Sequence, residues 1–342
     1  MAQINKPSDY FNTVTYSGNG STQSITGVGF QPDWVWVKAR SGTYGTENHF
    51  VYDVIRGANV RLIPNGNTAN TTDTTGLSSF DSDGFSSGSK TEVNGSGTEY
   101  VAWNWLASNT TASNTDGSIT STVSANTTSG FSIVSYTGNS TAGATVGHGL
   151  NAVPSMIIWK DLGTNSWGVY HKSIGNTNAL FLDLQNISTS FTTLVNSTTP
   201  SSSVITLGSS TNSNNSGGMI AYCFAEKKGY SKFGSYTGNY NTNGTFIYTG
   251  FKPAWVMTKR TDSTSDWRMF DGTRAPFNPA NKWVNADTSV AEGTDVQADL
   301  VSNGFKLRDA ANAFNASGGT FIYMAFAEQP LVGTNNIPAT AR

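Results

Sequence analysis

Gly29-Phe30-Gln31-Pro32-Asp33-Trp34-Val35-Trp36-Val37-Lys38 is the stretch from which the fold is read. In an extended strand successive side chains point to opposite faces, so Trp34 and Trp36 share one face and Val35 and Val37 the other. Both faces are apolar, which predicts a central strand between two layers. Pro32, which has no donor, suits the entry to such a strand. The phrase returns as Pro154-Ser155-Met156-Ile157-Ile158-Trp159-Lys160 and as Gly250-Phe251-Lys252-Pro253-Ala254-Trp255-Val256-Met257-Thr258-Lys259. Ahead of each copy stands Tyr-Ser/Thr-Gly-Asn, at residues 16–19, 136–139 and 236–239. That element reads as a strand end and a tight turn, where Gly and Asn tolerate positive φ.

Each copy closes with an apolar strand: Tyr100-Val101-Ala102-Trp103-Asn104-Trp105, Met219-Ile220-Ala221-Tyr222-Cys223-Phe224 and Phe321-Ile322-Tyr323-Met324-Ala325-Phe326. In the first copy further strands are expected at residues 11–16, 22–26, 50–54, 60–63, 77–80 and 85–89, separated by Gly, Asn, Asp and Ser. The prediction is an all-β chain of three tandem antiparallel β-sandwich modules, jelly-roll-like. Their bounds are 1–108, 131–227 and 228–330, with an extended tail at 331–342. Residues 109–130 read as a linker on which module one could hinge, or as an extra strand, since residues 118–125 partly alternate. Only residues 291–301 carry a weak helical pattern.

A chain of 342 residues accommodates three such units. Charged residues make up 12% and the formal net charge is −2, so the surface is expected to be solvated by hydroxyls and amides. Without a block of Lys and Arg there is no footprint for nucleic acid or for a polybasic membrane contact. No apolar run reaches the roughly 18 residues of a membrane span or forms a secretion signal. Synthesis in a cytoplasm is therefore expected. Cys223 is the one cysteine, which excludes an intrachain disulfide and a thiolate metal cluster; it reads as a small strand residue.

Catalytic, cofactor and metal sites are not expected. His49, His148 and His171 share no ligand spacing, and no nucleophile elbow or phosphate-binding loop occurs. Glu226 and Glu328 occupy matching positions where module one has Ser108, and Asp81 and Asp83 lie in one loop; neither set makes the paired acids of a glycosidase. Lys38, Lys160 and Lys259 recur at the strand exit, either as charges that oppose edge pairing or as an anion site. Trp34 and Trp36 could also form a sugar-stacking platform, which accounts for one face of their strand only. The candidate contacts with a ligand or partner are Trp167, Trp267 and Trp283, the tryptophans expected in exposed loops.

The phrase at residues 11–38, with Tyr16-Ser17-Gly18-Asn19 and Pro32-Asp33-Trp34-Val35-Trp36 in it, resembles a repeat module of virion proteins in marine tailed bacteriophages of cyanophage and pelagiphage type. Residues 130–138 and 318–330 resemble later stretches of the same proteins. The resemblance implies a non-enzymatic structural protein of the virion surface. Module one begins near Met1 and no heptad run is present, so a head-decorating or knob-like protein is expected before a tail fibre. The alternatives are a tail-fibre or host-glycan-binding adhesin and, third, a polysaccharide depolymerase. Other virion proteins of the capsid or tail are the implied partners, with host surface glycan as a further one and oligomer formation left open.

Overall fold

The computed structural model describes residues 3–334 and 338–340. It is all-β, built from antiparallel sheets. In repeat one, Phe11–Ser17, Thr98–Trp105, Trp34–Gly42 and Phe50–Asp53 form a four-stranded inner sheet in that order. Gln23–Ile25, Gly84–Ser87 and Leu77–Asp81 form an outer sheet. The first strand pairs with the last and the second with the next to last, the nested wrap of a jelly roll; Phe50–Asp53 stays beside Trp34–Gly42 as a hairpin. Repeats two and three follow the same plan around Met156–Asp161 and Phe251–Arg260.

Val35, Val37, Tyr52 and Phe85 are buried between the two sheets of repeat one. Repeats two and three have interiors of their own around Ile157 and Val256. The other faces of the three inner sheets meet in a fourth cluster. It takes Trp34, Trp36, Trp103 and Trp105 from repeat one, Phe131, Met156, Tyr222 and Phe224 from repeat two, and Phe233, Trp255, Met324 and Phe326 from repeat three. Trp105, Phe224 and Phe326 lie at equivalent register positions, opposite Trp34, Met156 and Trp255. Their rings meet at the centre, with Trp105 to Phe326 at 5.6 Å and Phe224 to Phe326 at 6.1 Å between centroids.

Polar contacts between repeats run in a closed cycle. Positions 53, 171 and 271 are equivalent, opposite Trp34, Met156 and Trp255. The Tyr222 hydroxyl of repeat two donates to Asp53 of repeat one at 2.7 Å. Trp103 Nε1 of repeat one donates to Asp271 of repeat three at 3.1 Å. His171 Nε2 of repeat two lies 3.2 Å from the Tyr323 carbonyl of repeat three. Each repeat thus contacts both others in the same sense, the pattern of a threefold arrangement made from one chain.

Residues 109–130 contain two strands rather than a bare linker. Ala112–Asn114 and Ser121–Asn126 extend the inner sheet of repeat two, and Asn126 Nδ2 donates to the Ala107 carbonyl at 2.9 Å. Residues 291–301 form no helix and end in the strand Ala298–Val301. In the tail, Val332 bridges Pro338 and the Ala339 N–H donates to Leu331; residues 335–337 and 341–342 lie outside the described residues.

The Tyr-x-Gly-Asn element has a partner in each repeat that sequence reading missed. It is a single helical turn ending in a buried asparagine: Thr91–Asn94, Thr211–Asn214 and Asn312–Asn315. The Tyr16, Tyr136 and Tyr236 hydroxyls donate to the carbonyls of Val93, Ser213 and Phe314. The N–H groups of Asn19, Asn139 and Asn239 donate to the side chains of Asn94, Asn214 and Asn315. The intervening glycine is required by proximity, since a Cβ at Gly18, Gly138 or Gly238 would lie 2.2, 2.1 or 2.3 Å from the carbonyl oxygen of the residue that follows that turn.

Two outcomes are expected. Phe224→Ala should cost about 3–5 kcal/mol, and because its cluster spans all three repeats, calorimetry should still record one cooperative transition. Separate melting of the repeats would contradict the shared core. Gly138→Ala should cost about 2 kcal/mol through displaced backbone, read as a lower denaturant midpoint at unchanged slope.

Candidate binding surface

The tryptophans expected in exposed loops do not form a surface. Trp167 and Trp267 are each 1% exposed and belong to the central cluster. They fill equivalent positions: Trp267 pairs with Lys259, and Trp167, directly before Gly168, faces Lys160 by extension of the register. Trp167 Nε1 donates to the Ile63 and Gly66 carbonyls of repeat one at 3.0 Å each. Trp267 Nε1 donates to the Phe181 carbonyl of repeat two at 2.9 Å. His49 fills the same position in repeat one and lies against the Asn285 and Thr288 backbone of repeat three. These are interface residues in the same cycle, so the rings are closed to a ligand. Trp283 is half-buried: the Arg268 guanidinium stacks 3.5 Å from its ring, and its other contacts include the backbone of Gly293.

The recurrent lysines are not edge charges and not open to an anion. Lys38, Lys160 and Lys259 are fully buried. Lys38 Nζ donates to the carbonyls of Ala39, Gly45 and Glu47 at 2.6–2.9 Å, and to Ser289 of repeat three at 3.2 Å. Lys259 Nζ donates to Gln185 of repeat two at 2.9 Å and to Ser265. Lys160 stays within its repeat, on Asp161 and Gly163. Burial pulls the Lys38 ammonium down to about 7, partly offset by Glu47, and that of Lys259 to about 8.

Beside these lysines lies an acceptor position occupied by Asn65, Asp183 and Asp287. Each accepts the main-chain N–H of His49, Trp167 or Trp267, at 2.9–3.0 Å. Burial, reinforced by Asp266, raises Asp287 to about 7, against the lowering effect of the Trp267 N–H and Lys259. Its Oδ2 has no hydrogen-bond partner, so nothing at that oxygen offsets the burial.

The other acids have structural partners. Asp81 accepts from Ser79 and Ser86, and Asp83 from the N–H groups of Gly27 and Gly29. Glu328 pairs with Lys252 at 3.1 Å. Strand register places Ala107, rather than Ser108, at the position of Glu226 and Glu328. Among the described residues no group of three or more His, Cys, Asp or Glu side chains is placed to hold a metal ion. Burial raises the Cys223 thiol far above its ordinary range.

An open cleft remains between repeats two and three, about 770 Å³ in volume. Its lining includes Lys172, Lys227, Lys228 and Lys232 with one carboxylate, Glu226. Lys172 and Lys232, from different repeats, each meet a Glu226 oxygen at 2.6 Å. Burial alone would raise the Glu226 carboxyl, but these two ammonium groups hold it below its ordinary value. Lys227 turns inward to the Thr127 carbonyl, and Lys228 is exposed. Tyr248 and Val153, 57% and 50% exposed, form the apolar part of the lip. The sequence did carry a signal for this site: three lysines fall within the six residues 227–232.

A model of one domain family of unknown function, DUF7483, matches residues 6–330. The chain belongs to that family. The match runs through all three repeats as one unit. No curated protein and no solved structure matches the chain.

Asp287→Asn tests the buried acceptor. An acid whose folded pKa is raised loses folding stability as pH climbs from its unfolded value near 4 to its folded value near 7. The variant keeps the acceptor oxygen, as Asn65 does in repeat one. It should match the parent near pH 4 and exceed it by about 1–3 kcal/mol at pH 8. Equal stability difference at both pH values in denaturant titrations would contradict a protonated Asp287.

Proposed function

We propose that this chain is a non-enzymatic structural protein on the surface of a tailed-phage particle, a head-decorating or knob-like component. The observation that carries this reading is the closed three-repeat block: all three inner sheets spend their second face on one another, leaving a rigid body with polar loops outward. Large exposed apolar side chains such as Ile187, Phe277 and Val290 are scattered along the chain, which suits a particle surface in contact with water. The acids singled out in the sequence are engaged in turns and ion pairs, and this supports a role in presentation and attachment over hydrolysis. The likeness of residues 11–38 to virion repeat modules points the same way. Partners are then other capsid or tail proteins.

The host-glycan adhesin is the second reading, favoured by the lysine-lined cleft between repeats two and three. Density-purified, high-salt-washed particles should contain the chain at a fixed copy number, and antibody labelling should place it on intact heads. Its absence from washed particles would overturn the virion reading, and labelling confined to tails would transfer it to the fibre alternative. Incubation with host polysaccharide should release no reducing ends.

A further inference from the structure

We infer that the cleft between repeats two and three binds an anionic saccharide, one carrying carboxylate or sulfate groups. The inference takes its biological setting from the proposed virion role; its physical argument is local. Lys172, Lys228, Lys232 and one carboxylate face a single cleft, Lys227 being turned inward, in a chain whose net charge is −2. Clefts lined by one sign of charge concentrate counter-charged ligands. Glu226 is shared between Lys172 and Lys232, so the pair retains excess positive charge. Lys228 is exposed at the same wall. Among the described residues no carboxylate pairs with it.

The cleft also offers what a sugar needs besides charge. Tyr248 stands 57% exposed at the lip. Its strand, Phe246–Tyr248, alternates exposed, buried, exposed, so Phe246 and Tyr248 share the outward face. An exposed aromatic ring with a polar tip presents an apolar face to sugar C–H groups and a hydroxyl to their oxygens. Asn151 and Ser202 on the opposite wall add amide and hydroxyl groups. The volume, about 770 Å³, falls in the range of ligand pockets.

The repeats supply an internal comparison. The equivalent junction of repeats three and one is a hollow of about 120 Å³ lined by Asn12, Thr273 and Glu328. Register puts Asn12 where Lys232 stands, Gly272 where Lys172 stands and Gln329 where Lys227 stands. At the junction of repeats one and two the same positions hold Ser132, Val54 and Ser108. Two junctions therefore close without these lysines. A purely structural need of the fold does not explain their collection at the third.

The test is calorimetric titration of the full chain with three probes: oligouronates from alginate, heparin fragments, and neutral laminarin oligosaccharides. At least one charged probe should bind and the neutral one should not, with affinity falling when salt rises from 20 to 200 mM. Tyr248→Ala and the double variant Lys228→Gln/Lys232→Gln should each weaken binding about tenfold. Their melting curves report folding independently, and Tyr248 and Lys228 are exposed. Binding of the oligouronates shows that carboxylate suffices, and binding of heparin fragments alone shows that sulfate is required. Absence of binding by both charged probes overturns the inference, and so does binding that neither variant changes. If Tyr248→Ala leaves binding intact while salt abolishes it, the contact is nonspecific charge attraction and the site is refuted. Particle localisation is independent of all these outcomes, so a chain found on washed virions but silent in the titrations would remove only this site.

Discussion

Burial of both faces of the inner sheets is the constraint on which the rest of the structure depends. A two-layer unit ordinarily hides one face of each sheet and leaves the other to water. Here Trp34 and Trp36 on one side, and Val35 and Val37 on the other, are all almost wholly buried. The second face needs a partner, and the only material equally apolar is the same face of the other repeats. Three copies closing on one another satisfy this condition for every copy at once. The aromatic content follows: Trp105, Phe224 and Phe326 fill a centre that aliphatic side chains of this number would leave thin. Trp34, Trp105 and Trp255 leave their indole N–H groups without a hydrogen-bond partner, so their role there is area and shape.

Polar groups then fix how the repeats are arranged. Hydrophobic burial is non-directional, and three greasy faces could meet at many angles. Hydrogen bonds such as Tyr222 to Asp53 and Trp103 to Asp271 are directional, and buried donors left unmade are costly. Lys38 and Lys259 act in the same way on backbone carbonyls of the neighbouring repeat. Repeat two departs from this scheme. His171 and Ile174 replace the buried ion pairs Asp53–Arg56 and Asp271–Arg274, so one junction is held by a neutral imidazole and a carbonyl.

Much of the fold was legible because its signal is local. Alternation at residues 34–37 and its two echoes gave the strand, its centrality and the repeat. The series of short strands with turn residues between them gave the jelly-roll-like expectation, while the pairing of Phe11–Ser17 with Thr98–Trp105 is seen only in the fold. The shared centre was not legible, because two apolar faces state that both are covered and do not state by what. Trp167 and Trp267 were misplaced for that reason: each follows a polar turn, as an exposed ring would, yet the ring is covered by the preceding repeat. The recurrent lysines misled similarly, since Lys38 and Lys259 each reach a carbonyl far along the chain besides their local ones. The role of the asparagines at 94, 214 and 315 carried no signal, because their side chains hold the Tyr-x-Gly-Asn turn from across the repeat. Of the cleft, Glu226 and the lysines at 227–232 were visible, while Lys172 and Tyr248 join them only through folding.

Three identical subunits could make the same ring, but every substitution would then appear three times. Covalent continuity frees each junction to change alone. Lys232 can stand at one seam while Asn12 and Ser132 stand at the others, and a favourable change at one place need not be tolerated at two more. The joined chain also cannot fall apart on dilution, since its pieces remain tethered at any concentration.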